Sequence, residues 1–209
     1  MTAGKLNVVV VGLGLGGAFP AIYLDHPDVD RVAVCERDEG RLRAITDRYE
    51  LADVFRDFDE VLRSDYDAVH LVSGIPDHAR HTLAVLNAGK HCACTVPMAT
   101  CLEDLHAIVE AQRRAGRVYM MMETTVYTRQ FLYALGLKQG GRLGRIQFLR
   151  GAHYQDMECW PSYWAGLPPM WYATHAVAPL LAMAETRATS VHCFGSGEMR
   201  EELRQVYGN

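Results

Sequence analysis

Apolar residues near the start of the chain form short runs, and each run ends where glycine or polar residues begin. The first run, residues 6–11, reads Leu-Asn-Val-Val-Val-Val and stops at Gly12. Short β-branched runs of this kind are typical of parallel strands that are buried on both faces. The same pattern predicts further strands at residues 31–35, 68–72, 91–96 and 118–122.

Segments with helical periodicity separate these runs. A helix is predicted from the glycines after residue 12 to about residue 24, and a charged helix at residues 39–49. Residues 77–88 and 102–115 place apolar side chains on one helical face, and glycine follows each segment. Alternating strands and helices predict a doubly wound α/β fold with a parallel sheet, of the Rossmann type.

The regular alternation of predicted strands and helices ends near residue 123. The second part of the chain predicts helices at residues 127–138 and 176–184 and strands at residues 145–154 and 189–194, with aromatic and proline residues concentrated at 160–171. We therefore predict a dinucleotide-binding domain at residues 1–123 and a second α/β domain, with an open sheet, at residues 124–209.

Composition narrows the range of functions. The 209 residues carry a net charge of -4, with 49% hydrophobic and 22% charged residues. A mildly acidic chain of this kind is a poor partner for nucleic acid or an anionic membrane surface. No apolar run approaches the roughly 20 residues of a membrane span, and no signal peptide is recognisable, so we expect a cytoplasmic location. The six cysteines have no spacing typical of a zinc site, so we expect no metal.

A glycine motif carries the first functional signal. Gly12, Gly14 and Gly17 form the pattern G-x-G-x-x-G directly after the first predicted strand, and Glu36 ends the second. In this context the motif predicts a pyrophosphate cradle, and the acidic residue receives the ribose hydroxyls. Glu36 would repel a 2′-phosphate, which favours NAD, although Arg37 beside it could accept one. The loop residues predicted to contact the cofactor are Gly12, Leu13, Gly14, Leu15, Gly16 and Gly17.

The stretch that follows resembles a known family. It reads D-A-V-H-L-V-S-G-I-P-D-H, then A-V-L-N-A-G-K-H, T-V-P-M-A-T and A-Q-R-R-A-G. With the glycine motif, these strings resemble the family of glucose-fructose oxidoreductase, inositol dehydrogenase and MocA. The resemblance implies a Rossmann domain followed by a substrate domain whose sheet also joins subunits, so we expect a homo-oligomer. Members are usually longer, so we expect this second domain to be incomplete. The implied cofactor contacts beyond the glycine loop are Glu36, Arg37, Ser73, Gly74, His78, Thr95, Val96, Pro97 and Glu123.

Two departures from the family pattern bear on the chemistry. Family dehydrogenases usually have E-K-P where this chain has Thr95, Val96 and Pro97, so their lysine is absent. The acidic residues that often flank their catalytic histidine are replaced by Trp171 and Ala178 around His175. The string Tyr-Ala-Thr-His at residues 172–175 with Pro179, the spacing of Glu123 and Tyr127, and Val-Pro in place of Lys-Pro resemble the NAD-dependent α-N-acetylgalactosaminidase branch. Enzymes of that branch oxidise a sugar hydroxyl transiently, eliminate the glycosidic oxygen, add water and return the hydride.

The resemblance makes His175 and Tyr154 the candidate acid and base, close to the nicotinamide and a sugar-like alcohol. Reasoning from the residues alone leaves Tyr172, His153 and Glu123 open as well, since oxidation of an alcohol needs a base near the hydroxyl proton. We interpret His81 and His153 as packing residues. Three hypotheses follow: an oxidoreductase acting on a sugar or cyclitol, a hydrolase or lyase that recycles NAD, and a non-catalytic NAD(H)-binding protein.

Overall fold

The computed structural model describes residues 4–156, 164 and 167–195. The chain forms two compact units, Met1–Met122 and Glu123–Asn209. Trp160 and Tyr163, from the predicted aromatic stretch, lie outside the described residues. None of the helices in the described ranges is long and apolar enough to cross a membrane.

The first unit is built around a parallel sheet of six strands. They are arranged in the order β3-β2-β1-β4-β5-β6. The predicted Rossmann class is therefore confirmed, with the order expected of a doubly wound dinucleotide-binding sheet. The strands are β1 Leu6–Val11, β2 Val29–Cys35, β3 Asp53–Phe55, β4 Ala68–Leu71, β5 His91–Thr95 and β6 Tyr119–Met122.

Residues of β1 alternate between two cores, because successive side chains of a strand point to opposite faces of the sheet. Val9 and Val11 belong to one buried cluster together with Ile108 of the fifth helix. Val10 belongs to the other, which includes Leu42 of the second helix. Burial on both faces explains why this strand is apolar at nearly every position.

Five helices cover the sheet. Asp38 caps α2 by accepting a hydrogen bond from the Arg41 N–H at 2.8 Å, and Gly116 ends α5 in the left-handed conformation. A short 3-10 turn at Gly16–Ala18 precedes the first helix. The helices are α1 Pro20–Leu24, α2 Glu39–Tyr49, α3 Phe58–Arg63, α4 His78–Asn87 and α5 Leu102–Ala115.

The second unit is helical in the described residues. A 3-10 turn at Thr125–Tyr127 leads into α6, Arg129–Gln139, and α7 spans Thr174–Ala184. The strands predicted at residues 145–154 and 189–194 are wrong, since the described residues form no ladder at either place. An apolar alternation becomes a strand only where a neighbouring strand satisfies its backbone groups.

Candidate functional site

The glycine loop leaves β1 through a conformation that only glycine adopts easily. Gly12 has a φ of +88°, and its N–H donates to the Cys35 carbonyl at 2.9 Å. A Cβ at Gly12 would lie 2.6 Å from the Val72 carbonyl oxygen, which belongs to backbone that cannot swing aside. The loop is therefore pinned between the ends of β2 and β4.

Further along the loop, the backbone is exposed to solvent at Gly14 and Leu15 and is buried again at Gly16 and Gly17. Gly14 is exposed and Leu15 is 60% exposed, whereas Leu13 is buried. A Cβ at Gly17 would lie 2.7 Å from Ile45 Cδ1, the end of a flexible side chain on α2, so this glycine lets α2 pack closely against the loop, whereas the motif predicts packing of a helix on a strand. The surface that the loop offers to a ligand is thus the backbone around Gly14 and Leu15.

Glu36 stands at the end of β2, held by hydrogen bonds from the protein itself. Its carboxylate accepts from the backbone N–H groups of Leu13 at 2.8 Å, Arg37 at 2.8 Å and Asp38 at 3.1 Å. The Arg41 guanidinium contacts it at 3.3 Å. Burial would raise the pKa of Glu36, but the three backbone N–H groups outweigh burial and hold that pKa below its ordinary value. Glu36 is therefore ionised at neutral pH, and Arg37 is exposed beside it.

His78 ties together the loops that follow β4 and β5. Its Nδ1 lies 2.7 Å from the Pro97 carbonyl oxygen and its Nε2 lies 2.9 Å from the Ser73 carbonyl oxygen. The ring is 1% exposed. Both nitrogens face carbonyl oxygens of the protein, and a contact between His78 and the cofactor stays a prediction. Its place in the structure is to position the Ser73 and Pro97 backbone.

The side chains at positions 95 to 97, next to the loop that follows β5, are uncharged. The Thr95 hydroxyl donates to the Leu71 carbonyl at 3.2 Å. Val96 and Pro97 are buried. Val96 therefore neither transfers a proton nor projects into solvent at the position where family dehydrogenases carry lysine.

A hydrogen-bonded chain of side chains at Ser73 was missed by sequence reasoning. Asp77 accepts from Arg80 at 2.8 Å, and Arg80 contacts His81 Nε2 at 2.9 Å. Because Arg80 only donates, His81 carries its proton on Nδ1 and donates it to Ser73 Oγ at 3.0 Å. Burial, reinforced by Arg80, lowers the pKa of His81 to about 4 and keeps the ring neutral. The Ser73 O–H is left free to donate to a ligand.

In the second unit, Glu123 and His175 form a hydrogen-bonded pair. His175 Nδ1 lies 2.7 Å from Glu123 Oε1, and the side chains are 11% and 5% exposed. The N–H and hydroxyl of Thr125 donate to the same oxygen at 2.9 and 2.7 Å. Burial would raise the pKa of Glu123, but the hydrogen bonds from Thr125 and His175 lower it. An ionised Glu123 accepts the Nδ1 proton of His175, which leaves the lone pair of the neutral ring on Nε2.

The ring of His175 lies within a group of aromatic side chains. Its centroid is 4.7 Å from that of Tyr172 and 5.1 Å from that of His153. His175 belongs to the first turn of α7, one residue after the helix begins at Thr174. Tyr154, the other predicted catalytic residue, is 86% exposed, and the described residues give its hydroxyl no hydrogen-bond partner. Of the two predicted groups, only His175 is built into a hydrogen-bonded site.

The first unit has the fold of a dinucleotide-binding domain. A family model described as "Oxidoreductase family, NAD-binding Rossmann fold" matches residues 6–123. The chain therefore belongs to this NAD-binding oxidoreductase family, which confirms the resemblance noted in the sequence.

Individual relatives divide between two activities. Glycosyl hydrolase family 109 protein 1 of Bacteroides fragilis is 29% identical over 204 residues, covering 86% of this chain and 44% of the relative. Inositol 2-dehydrogenase of Salmonella typhimurium is 27% identical over 154 residues, covering 71% of this chain and 46% of the relative. The chain thus spans less than half the length of these relatives.

Solved structures share the fold. Scyllo-inositol dehydrogenase from Lactobacillus casei, with bound NAD(H) and scyllo-inositol, superimposes with a TM-score of 0.63 at 24% identity, covering 68% of this chain and 43% of that one. Myo-inositol 2-dehydrogenase from Lactobacillus plantarum gives a TM-score of 0.65 at 21% identity, covering 70% of this chain and 44% of that one.

Proposed function

We propose that this chain oxidises a ring hydroxyl of a cyclitol or sugar-like polyol with NAD as the hydride acceptor, and that His175 is the base. The observation that carries the proposal is the contact of 2.7 Å between His175 Nδ1 and Glu123 Oε1. With the Nδ1 proton fixed on the carboxylate, the Nε2 lone pair of His175 is available to take the hydroxyl proton of a substrate.

The residues of the first unit fit a dinucleotide. The backbone at Gly14 and Leu15 is open to solvent, and Gly12 holds the turn where a larger residue would strike the Val72 carbonyl. Glu36 is our proposed acceptor for the hydroxyls of the adenosine ribose. A ribose hydroxyl would displace Arg41, whose 3.3 Å contact is the longest of the four hydrogen bonds to that carboxylate. A bound nicotinamide would supply an acceptor for two electrons and a hydrogen.

Preference for NAD over NADP rests on the ionised state of Glu36. A 2′-phosphate at this place would face a carboxylate whose pKa is lowered. Repulsion between two unit charges about 4 Å apart costs about 1 kcal/mol even at the dielectric constant of bulk water. Arg37 and Arg41 reduce the effect, and for this reason we propose a preference rather than exclusion.

The test replaces each member of the pair and follows NADH formation from myo-inositol and scyllo-inositol. Loss of a general base typically lowers turnover by about 10²- to 10⁴-fold. We expect His175→Gln to show that loss with NAD affinity nearly unchanged in calorimetry, and Glu123→Gln to show a smaller loss of turnover. Full activity of His175→Gln on a substrate that the unaltered chain oxidises would reassign the base, with Glu123 as the next candidate.

A second candidate function is redox-assisted cleavage of a glycoside. The glycosyl hydrolase match favours it because that alignment covers 86% of this chain, against 71% for the inositol dehydrogenase, and Val96 stands where family dehydrogenases have lysine. Release of 4-nitrophenol from 4-nitrophenyl N-acetyl-α-galactosaminide without net NADH would support this function. NADH formed in proportion to an oxidised polyol would support the first. Bound NAD with neither reaction would indicate a non-catalytic binding protein.

A further inference from the structure

His81, on α4, is buried, and both nitrogens of its ring have polar partners. Nε2 lies 2.9 Å from the Arg80 guanidinium, and Nδ1 lies 3.0 Å from Ser73 Oγ. The residue is 6% exposed, and its ring packs on that of Phe58 with centroids 4.3 Å apart. The interpretation of His81 as a packing residue agrees with this burial but does not account for the two polar contacts.

The hydrogen bonds run in one direction, from the surface toward Ser73. A guanidinium only donates, so Arg80 donates both to Asp77 and to Nε2 of His81. The ring proton therefore lies on Nδ1 and is donated to Ser73 Oγ. One lone pair of that oxygen faces an N–H group, so the Ser73 O–H has to point away from His81. In the described part of the chain, Ser73 Oγ has no further hydrogen-bond partner.

Ser73 borders the crevice that binds ligands in doubly wound sheets. The strand order reverses between β1 and β4, and ligands of such sheets bind beyond the carboxyl ends of the strands at this point. Gly12 is the first residue after β1, and Ser73 is the second residue after β4. A Cβ at Gly12 would lie 3.1 Å from the Ser73 backbone nitrogen. Ser73 is therefore next to the glycine loop, our predicted cradle for the pyrophosphate.

We propose that His81 is a positioning residue for the dinucleotide, because it turns the Ser73 O–H outward to donate to a phosphate oxygen of the bound cofactor. This inference rests on the proposed function, which assigns NAD to the crevice. A phosphate fits best because its ionised oxygens only accept hydrogen bonds, whereas a ribose hydroxyl can donate or accept and would pair with Ser73 in either orientation. Without the His81 N–H, the Ser73 hydroxyl is free to rotate among its staggered positions.

Calorimetric titration of NAD into the full chain and its variants measures this effect. A hydrogen bond to a charged group corresponds to a change of about 10- to 100-fold in Kd, which we expect for Ser73→Ala. His81→Leu keeps the hydroxyl but leaves it undirected, so we expect a loss of about three- to tenfold. His81→Asn offers an amide N–H near the place of Nδ1 and should restore most of the affinity. His106→Leu replaces an exposed histidine of α5 and is the matched control, with unchanged affinity.

A double variant separates positioning from a merely structural effect. If His81 acts through Ser73, then His81→Leu combined with Ser73→Ala should bind NAD no more weakly than Ser73→Ala alone. A structural defect would instead add to the loss caused by Ser73→Ala. The same losses are expected with ADP-ribose, which contains the pyrophosphate but lacks the nicotinamide. A loss that appears with NAD and not with ADP-ribose would overturn the assignment to phosphate.

Long-range ¹H–¹⁵N spectra test the proton assignment without any ligand. We expect the Nδ1–H tautomer of His81 in the unaltered chain. Arg80→Ala removes an arginine whose side chain is 65% exposed, so the fold should persist, while the Nε2–H tautomer appears and NAD binding weakens. This variant keeps the test available if His81→Leu does not fold. The Nε2–H tautomer in the unaltered chain would contradict the inference.

The outcomes distinguish this inference from the proposed function. NAD binding by the unaltered chain, with equal affinity in His81→Leu or with equal losses in His81→Leu and His81→Asn, would overturn the role of His81 alone. Additive losses in the double variant would do the same. Absence of NAD binding by the unaltered chain would refute the proposed cofactor and this inference together.

Discussion

Substitution of Gly12 by alanine tests how the glycine loop is built. Gly12 has a φ of +88°, where an L-residue costs about 1–2 kcal/mol more than glycine. The new Cβ would lie 2.6 Å from the Val72 carbonyl oxygen, whereas ordinary contact begins at 3.4 Å. Forcing this backbone apart adds about 1–3 kcal/mol, the usual range for overpacking. We therefore expect Gly12→Ala to lower the free energy of unfolding by about 2–5 kcal/mol.

Substitutions at two other glycines separate the cost of the positive φ from the cost of the close contact. Gly89 has a φ of +73° but nothing within 4 Å of an added Cβ, so Gly89→Ala should cost only the conformational part, about 1–2 kcal/mol. Gly74 has a φ of -62°, and its Cβ would meet only Pro76 Cδ at 3.9 Å. Gly74→Ala should be neutral or stabilise the chain by about 0.4–1 kcal/mol.

The assay is urea unfolding followed by circular dichroism, with thermal melting as a second measure. Each kcal/mol corresponds to a shift of about 2–4 °C in Tm for a chain of this size. The expected order of stability is Gly74→Ala, then Gly89→Ala, then Gly12→Ala. Equal losses for Gly12→Ala and Gly89→Ala would show that the approach to Val72 contributes nothing, and the account of the loop would be wrong.

Three further predictions concern the cofactor, pH and assembly. Glu36→Gln removes the charge facing a 2′-phosphate and should raise NADP affinity relative to NAD by about fivefold; an unchanged ratio in direct titrations would contradict this. Burial lowers the pKa of His70 from 6.5 to about 4, so the unfolded chain binds more protons than the folded chain between these pH values. The neutral ring therefore contributes about 3 kcal/mol to the free energy of unfolding above pH 6.5, and this contribution is lost as the pH falls toward 4. His70→Phe should flatten the dependence of urea stability on pH in that window, and an unaltered slope would refute the assignment. Exposed apolar side chains at Phe148, Val191 and Phe194 lead us to expect a homo-oligomer in light scattering, and a monodisperse monomer of the full chain would argue against it.

The first unit could be predicted from sequence because its signals are local and repeated. The helix Leu102–Ala115 has the predicted bounds, since its apolar face is periodic and Gly116 ends it. The strand β3 and the helix α3 were missed because three and six residues are too short to establish a period. In the second unit, residues 145–154 alternate like a strand but have no neighbouring strand to pair with in the described part of the structure.

In the candidate sites, too, local motifs could be predicted from the sequence, whereas contacts between distant residues could not. The positions of Gly12 and Glu36 follow from a motif with fixed spacing, so a sequence is enough to select them. The pairing of Glu123 with His175 joins residues 52 positions apart, and only the packing of α7 against the turn at Thr125 brings them together. His78 lies in a segment that resembles the family, yet the sequence could not show that both of its ring nitrogens face carbonyl oxygens of the protein. No sequence motif indicates the hydrogen-bonded chain formed by Asp77, Arg80, His81 and Ser73.

The most direct test of the central claim is a calorimetric titration of NAD into the unaltered chain and into Gly14→Val. Gly14 is exposed at the turn of the loop, so a valine there should leave the fold intact while occupying the space that the pyrophosphate needs. We predict saturable binding of one NAD per chain by the unaltered protein and no measurable binding by Gly14→Val, with equal melting temperatures in the absence of NAD. Equal NAD affinity in the two proteins would contradict the assignment of this loop as the cofactor site.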